Sequence, residues 1–168
     1  YLASSPTAVD AVGHARAIAK EAGVGSALSL SDPNVVRLFG DGLREMIADG
    51  VDLLFSNEEE ALEISGGRDL DEALTALQRF ARRFVVTRGP APTVVFDGSR
   101  TVEVPSRPVK PVDTTGAGDM FAGAFLYGVT RGWSAAEAAR LATRASARLI
   151  TSYGPRLDAA TTRALLEA

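Results

Sequence analysis

Short apolar runs alternate along this chain with longer stretches whose apolar residues recur every three or four positions. Such runs are typical of buried strands, and the longer spacing is typical of helices with one buried face. The predicted strands cover residues 24–31, 51–55, 83–87, 93–96 and 101–104. The predicted helices cover residues 6–22, 35–48, 58–64, 70–81, 117–130, 135–151 and 157–166. This alternation predicts an α/β fold in which helices cover both faces of a mainly parallel sheet.

The last three predicted strands follow one another without a helix between them. Residues 97–100 (Asp-Gly-Ser-Arg) form a turn-type sequence, which predicts a short antiparallel hairpin near the edge of the sheet. Residues 88–92 are expected to form a loop that Pro90 and Pro92 hold rigid. Residues 1–4 are expected to be the end of a strand.

The composition excludes several classes of function. The 168 residues include 18 Lys and Arg and 21 Asp and Glu, which give a net charge of -3. Neither a nucleic-acid nor a membrane partner is therefore expected. No cysteine is present, which removes disulfides and fits a cytoplasmic location. The only histidine in the sequence, His14, lies in a predicted helix, and this location argues against a Ser-His-Asp triad. Neither Lys20 nor Lys110 follows a glycine, which excludes a Walker A loop.

The segment at residues 112–125, VDTTGAGDMFAGAF, carries the strongest indication of chemistry. Gly116 and Gly118 flank an alanine where a loop becomes a helix, so backbone N–H groups can approach an anion there. This arrangement predicts a phosphate-binding loop. Asp119 follows in the first helical turn, where a carboxylate beside a phosphate suits a general base. The third glycine of a dinucleotide GxGxxG fingerprint would fall at Phe121, so that fingerprint is absent.

Two structural interpretations stay open beside these functional ones. Asp113 or Thr115 could cap the helix, with Asp119 favouring its dipole and the glycines only permitting a tight turn. Asn57 and Glu60, which follow the second predicted strand, have the spacing of a helix capping box.

The sequence Asp-Thr-Thr-Gly-Ala-Gly-Asp-x-Phe-x-Gly-Ala at residues 113–124 resembles the C-terminal signature of the ribokinase-like (PfkB) carbohydrate and nucleoside kinases. Asn57 to Glu60 is similar to the family's Asn-x-x-Glu element, and residues 32–34 (Asp-Pro-Asn) resemble its Asp-x-Asn step. The resemblance covers nearly the whole chain but only the C-terminal half of the family fold. It implies that residues 1–168 are a single α/β domain of a larger kinase and are inactive alone.

The resemblance implies phosphoryl transfer from ATP, with Mg²⁺, to a primary hydroxyl of a small-molecule sugar or nucleoside. Asp119 would be the base that takes the proton from this hydroxyl. Gly116, Ala117 and Gly118, with the N–H of Asp119, would form the anion hole. A non-catalytic nucleotide-binding or regulatory module with the same fold is the alternative, and the intact motif argues against it. A homodimer is left open.

Further residues receive roles from the same resemblance. Asn57 and Glu60 would help to place the nucleotide phosphates and magnesium, with Glu60 acting on the metal indirectly. Thr87 and Gly89 would lie along the nucleotide. A monovalent cation, with K⁺ as the candidate, would be held behind the anion hole by Asp113, Thr115, Ser152 and Gly154.

Two positions depart from the family pattern. Residues 90–92 (Pro-Ala-Pro) stand where relatives continue with a small or acidic pair and another glycine, so phosphate contacts from this loop are in doubt. Thr143 stands where relatives often place an asparagine beside the base, which weakens any assignment of adenine contacts.

Overall fold

The computed structural model describes residues 2–167, except for the side chain of Leu2. The chain divides into two compact units, Tyr1–Val86 and Thr87–Ala168. The first unit begins with a 3-10 turn at Leu2–Ser4 and then contains the helices α1 (Pro6–Glu21), α2 (Pro33–Ile47), α3 (Glu58–Ser65) and α4 (Leu70–Leu77). Its strands are β1 (Ala27–Ser29), β2 (Leu53–Asn57) and the beginning of β3 (Phe84–Arg88).

The second unit contains the end of β3 and a hairpin, followed by three helices. The strands of the hairpin are β4 (Ala91–Phe96) and β5 (Thr101–Val104). The helices are α5 (Ala117–Val129), α6 (Ala135–Leu149) and α7 (Ala159–Glu167). Among the helices of residues 2–167, none combines the length and the apolar character needed to cross a membrane.

The strands form one sheet in the order β1-β2-β3-β4-β5. β1 and β2 are parallel, with Leu28 opposite Leu54, and the connection between them contains α2. β4 and β5 are antiparallel, with Val95 opposite Val102, and they lie at one end of the strand order. The predicted fold class is therefore confirmed: a mainly parallel sheet flanked by helices, with an antiparallel hairpin at its edge.

The core of the first unit forms around β2, whose first four residues are all buried. Ile47 of α2, Ile64 of α3 and Leu77 of α4 are fully buried. Burying an apolar side chain of this size contributes about 1.5–3 kcal/mol. β2 ends at Asn57, where α3 begins, so this end of the strand carries the polar residues of the Asn-x-x-Glu element.

The core of the second unit depends on the close approach of α5 and α6. A Cβ atom at Gly128 would lie 2.8 Å from the Cβ of Ala138, which leaves no room for a larger residue there. Phe121 and Phe125 of α5 are buried and stack with ring centroids 6.3 Å apart. α5 therefore packs closely against α6 near Gly128 and contributes two buried aromatic rings to the core.

β1 differs from its prediction in length and in burial. The sequence predicts a buried strand over residues 24–31, but β1 covers only Ala27–Ser29 and both of its end residues are exposed. Before β1, the N–H of Ser26 donates to Oδ2 of Asp52 at 2.7 Å, so a side chain replaces a ladder hydrogen bond. After β1, Ser31 has a φ of 71°, which ends the extended conformation.

Helix boundaries also differ from prediction by one to four residues, and the structure explains two of these differences. α2 begins before residue 35 because Asp32 caps it, with Oδ1 accepting the N–H of Asn34 at 2.7 Å. α4 ends at Leu77 rather than at residue 81, and the chain turns toward the sheet. There the N–H of Arg82 donates to the carbonyl of Val51 at 2.9 Å.

The connection between β3 and β4 is shorter than the predicted loop over residues 88–92. β3 continues through Arg88 and β4 begins at Ala91, so only Gly89 and Pro90 form the turn. Gly89 has a φ of 56°, a conformation that glycine adopts without strain. The predicted loop is wrong because Pro92 lies inside β4.

The start of the chain also differs from prediction. Residues 1–4 are predicted to be a strand end, but Leu2–Ser4 forms a 3-10 turn. Tyr1 lies outside the described residues.

Candidate active site

The beginning of α5 has no side-chain cap. Its N-cap residue is Gly116, with a φ of 78°, and no side chain that the structure describes accepts a hydrogen bond from the first turn. The N–H of Ala117 donates to the carbonyl of Thr114 at 3.1 Å. Within residues 2–167, the N–H groups of Gly118 and Asp119 have no acceptor. Two free donors therefore lie at the positive end of a 13-residue helix, where an anion is stabilised.

Asp113 organises the loop before α5 instead of capping the helix. Its Oδ1 accepts the N–H of Thr115 at 2.9 Å, and its Oδ2 accepts the N–H of Gly154 at 3.0 Å. The N–H groups of Gly154 and Thr115 hold the pKa of Asp113 below its usual value, so this carboxylate is ionised at neutral pH. The interpretation that Asp113 or Thr115 caps α5 is therefore wrong.

A second loop, residues 150–155, supports this segment. The carbonyl of Ile150 accepts the N–H of Val112 at 2.7 Å and the N–H of Asp113 at 3.3 Å. A Cβ atom at Gly116 would lie 2.9 Å from the Cβ of Pro155, so the two loops are in close contact. The structure thus brings Asp113 and Gly154 together, two of the residues predicted to surround a monovalent cation.

The other two residues of that predicted set lie on the surface of these loops. Thr115 is exposed and follows Asp113 by two positions. Ser152 is also exposed, and its hydroxyl donates to the carbonyl of Leu149 at 3.3 Å. The side chain of Ser152 is therefore occupied at the end of α6, and its backbone remains the candidate cation ligand.

Asp119 is exposed in the first turn of α5. Throughout the described part of the chain, no hydrogen bond or ion pair engages its carboxylate. An exposed and unpaired carboxylate beside two free N–H donors has the geometry that a general base needs to reach an acceptor hydroxyl.

The predicted nucleotide residues Thr87 and Gly89 lie at the end of β3 and in the turn that follows it. The hydroxyl of Ser106 contacts the carbonyls of Gly89, at 3.1 Å, and Ala91, at 2.6 Å. Ser106 therefore holds this turn through two hydrogen bonds, although it lies outside the segment that contains Thr87 and Gly89. It lies 17 residues from Gly89, and no sequence signal indicated the contact.

Asn57 and Glu60 lie in the first unit and form the capping box of α3. The N–H and the side-chain amide of Asn57 donate to the two carboxylate oxygens of Glu60, at 2.9 and 2.8 Å. The N–H of Glu60 donates to Oδ1 of Asn57 at 2.8 Å. Burial raises the pKa of Glu60, and the nearby negative charges of Asp32 and Glu59 raise it as well. The interpretation of Asn57 and Glu60 as a helix capping box is confirmed.

Arg37 contacts residues near Asn57 and Glu60, and no sequence pattern indicated these contacts. Its guanidinium donates to Oδ1 of Asn34 at 3.1 Å, to Glu59 at 3.3 Å and to Glu63 at 3.0 Å. Arg37 therefore links Asn34, in the Asp-Pro-Asn sequence at residues 32–34, to α3. The partners lie on different helices, so local sequence spacing could not reveal the contact.

Both oxygens of Glu60 accept hydrogen bonds, so a metal ion could meet this carboxylate through water more readily than directly. Among residues 2–167, no three His, Cys, Asp or Glu side chains form a cluster suited to a metal ion. Mg²⁺ commonly keeps several waters and binds through one or two carboxylates and substrate phosphates. The donor set therefore fits the indirect contact predicted for Glu60.

The family model for the pfkB family of carbohydrate kinases matches residues 2–162. This chain belongs to the PfkB family. The predicted resemblance is thereby confirmed for nearly the whole chain.

Individual PfkB relatives are nucleoside and sugar kinases. The chain is 41% identical over 118 residues to a cytidine kinase of Thermococcus kodakarensis, covering 68% of this chain and 42% of that protein. The crystal structure of adenosine kinase from Sinorhizobium meliloti matches with a TM-score of 0.92 at 36% identity, covering 99% of this chain and 52% of that one. A structure from E. coli, assigned as ribokinase II and solved with ATP and Mg²⁺, matches with a TM-score of 0.85 at 25% identity, covering 98% and 56%. This chain thus spans about half the length of each of these three proteins.

Proposed function

We propose that the protein containing this chain transfers the γ-phosphoryl group of ATP to a primary hydroxyl of a sugar or nucleoside. The observation that carries the proposal is the uncapped beginning of α5, where, among the described residues, neither the N–H groups of Gly118 and Asp119 nor the Asp119 carboxylate has a partner. A capped helix would have used these donors itself. PfkB relatives that are cytidine and adenosine kinases support the same class of reaction.

The N–H groups at the beginning of α5 would stabilise the charge on the transferred phosphoryl group. Phosphoryl transfer needs little covalent chemistry, so catalysis depends mainly on positioning and on neutralising charge. A fixed donor aimed at developing charge can lower the barrier by about 3–4 kcal/mol. Because the N–H of Ala117 already donates to Thr114, Gly118 and Asp119 carry this role, and Gly116 provides the turn that exposes them.

Asp119 would accept the proton of the acceptor hydroxyl as the oxygen attacks phosphorus. The carboxylate is exposed on the first turn of α5, the same turn that carries the N–H donors. Proton acceptance by a positioned base contributes about 10²–10⁴-fold to a rate.

Mg²⁺ would supply charge neutralisation at the nucleotide phosphates when it is bound. Glu60 would orient water toward the metal, and Asn57 would hold the Glu60 carboxylate through its two donors. Thr87 and Gly89 would line the nucleotide, with Ser106 holding the turn that carries Gly89.

Potassium is expected to raise activity. Each Asp113 oxygen accepts one N–H donor and keeps a further lone pair for a cation. A cation bound there, with Thr115 and backbone groups near Ser152 and Gly154, would stiffen the loop before α5. The test compares turnover in potassium with turnover in tetramethylammonium at fixed ionic strength. A higher rate in potassium supports the site, and equal rates would refute it.

An assay of the complete protein separates this proposal from a non-catalytic nucleotide-binding module. ATP and Mg²⁺ are supplied with a panel of sugars and nucleosides, while ATP binding is measured by calorimetry in parallel. The proposal expects acceptor-dependent ADP release. ATP binding without ADP release for any acceptor would favour the binding module.

A further inference from the structure

Ser146, near the end of α6, makes a contact outside every motif identified in the sequence. Its hydroxyl donates to the carbonyl oxygen of Ala117, the first residue of α5, at 3.0 Å. A serine inside a helix commonly donates to the carbonyl four residues earlier in its own helix. Here the acceptor is 29 residues away and belongs to the candidate anion hole.

The contact is possible because α5 and α6 pack closely. Gly128 of α5 meets Ala138 of α6 without space for a Cβ atom, and α6 presents small buried residues such as Ala142 and Ala145 to its neighbours. At such a separation, the short side chain of serine can reach a backbone atom on the other helix.

The carbonyl of Ala117 and the N–H of Gly118 belong to the same peptide unit. A peptide unit is planar and rigid, so holding the oxygen at one edge fixes the direction of the N–H at the other edge. A hydrogen bond to the carbonyl also polarises the unit and strengthens its N–H as a donor. The Gly118 N–H is one of the two donors at the beginning of α5 that have no acceptor within residues 2–167.

We propose that Ser146 is a positioning residue of the anion hole, which acts by orienting the peptide unit between Ala117 and Gly118. Ser146 need not touch the substrate, because its effect passes through one hydrogen bond and one rigid peptide plane. The inference rests on the proposed function for its catalytic consequence. The structural part, control of the Gly118 N–H, stands independently of turnover.

The structural part is tested by the backbone amide chemical shift of Gly118 in the complete protein without ligands. Ser146→Ala removes the hydroxyl, and alanine favours a helix, so the fold is expected to persist. We expect the Gly118 amide resonance to move more than that of Gly123, which lies farther along α5. Ser146→Thr, which keeps a hydroxyl, should restore most of the shift. An unchanged Gly118 resonance in Ser146→Ala would overturn the inference.

The catalytic part is tested by separating kcat from KM. The net contribution of one hydrogen bond is about 0.5–1.5 kcal/mol. If Ser146→Ala loses this contribution in the transition state, kcat should decrease by about 2-fold to 10-fold. KM for ATP should change little, because the donor acts mainly on developing charge. Inhibition by ADP with aluminium fluoride should weaken in parallel with kcat.

The matched control is Thr130→Ala at the opposite end of α5. The hydroxyl of Thr130 donates to the carbonyl of Leu126, four residues earlier, at 2.7 Å, so this variant loses a hydroxyl-to-carbonyl hydrogen bond far from the anion hole. We expect its kcat to equal that of the wild type. An equal decrease in kcat for both variants would overturn the positioning role and indicate a general effect on α5.

Failure of the inference differs from failure of the proposed function. If the wild type shows no acceptor-dependent ADP release, the proposed function fails, and the Gly118 resonance still decides whether Ser146 orients the peptide unit. If the wild type is active but Ser146→Ala is equally active, the inference fails and the proposed function stands.

Discussion

Replacement of Asp119 by asparagine is expected to lower kcat by about 10²–10⁴-fold while nucleotide affinity changes little. Asparagine has nearly the same size as aspartate but cannot accept the proton of the acceptor hydroxyl. The side chain is exposed, so the substitution leaves the packing of α5 intact. The measurement is steady-state turnover of the complete protein together with calorimetric ATP binding.

Asp71→Asn is the matched control for this experiment. Asp71 is likewise an exposed acidic residue in the first turn of a helix, α4, and has no proposed role in the reaction. Its variant should turn over like the wild type, which separates loss of the base from loss of a helix-dipole interaction. Wild-type turnover in Asp119→Asn would remove the proposed base from the mechanism.

Replacement of Gly116 by alanine is expected to abolish most activity and to destabilise the fold. Alanine is strained at the observed φ of 78°. Its Cβ would also lie 2.9 Å from the Cβ and 3.1 Å from the carbonyl oxygen of Pro155. Together these effects should lower the free energy of unfolding by about 2–4 kcal/mol. Displacement of the loop by about 1 Å should lower kcat by about 10²-fold.

Gly132→Ala separates backbone strain from this steric contact. Gly132 has a φ of 82°, but no described atom lies within 4 Å of a Cβ placed there. We expect it to lose about 1–2 kcal/mol of stability from strain alone and to keep its activity. Thermal unfolding and turnover of both variants provide the comparison. If Gly116→Ala is as stable and as active as Gly132→Ala, the close contact with Pro155 has no functional importance.

From residue 6 onward, the sequence predicted the order of helices and strands correctly because most of them depend on local patterns. β2 is a continuous apolar run, and α6 begins with a capping box between Ser134 and Glu137 that the structure contains. The error at β1 occurs where a distant group competes with the local pattern. Asp52 takes the N–H of Ser26, so β1 is shorter than its apolar run suggests.

The candidate site was predictable to the extent that it lies within contiguous motifs. Gly116, Gly118 and Asp119 are neighbours in sequence, and the turn that exposes the N–H donors depends mainly on Gly116. The supports of this loop come from elsewhere in the chain. Ser146 reaches Ala117 from α6, and Gly154 reaches Asp113 across 41 residues. Such contacts are set by tertiary packing, which a local pattern does not contain.

The location of the transferred phosphate tests the central claim most directly. The complete protein is incubated with Mg²⁺, a sugar or nucleoside acceptor and ATP labelled at the γ-phosphate, and the product is identified by phosphorus NMR. The account predicts that the label appears as a phosphate monoester on a primary hydroxyl of the acceptor, at a rate that falls sharply in Asp119→Asn. Label that appears only as inorganic phosphate, or that stays in ATP with every acceptor, would contradict the account.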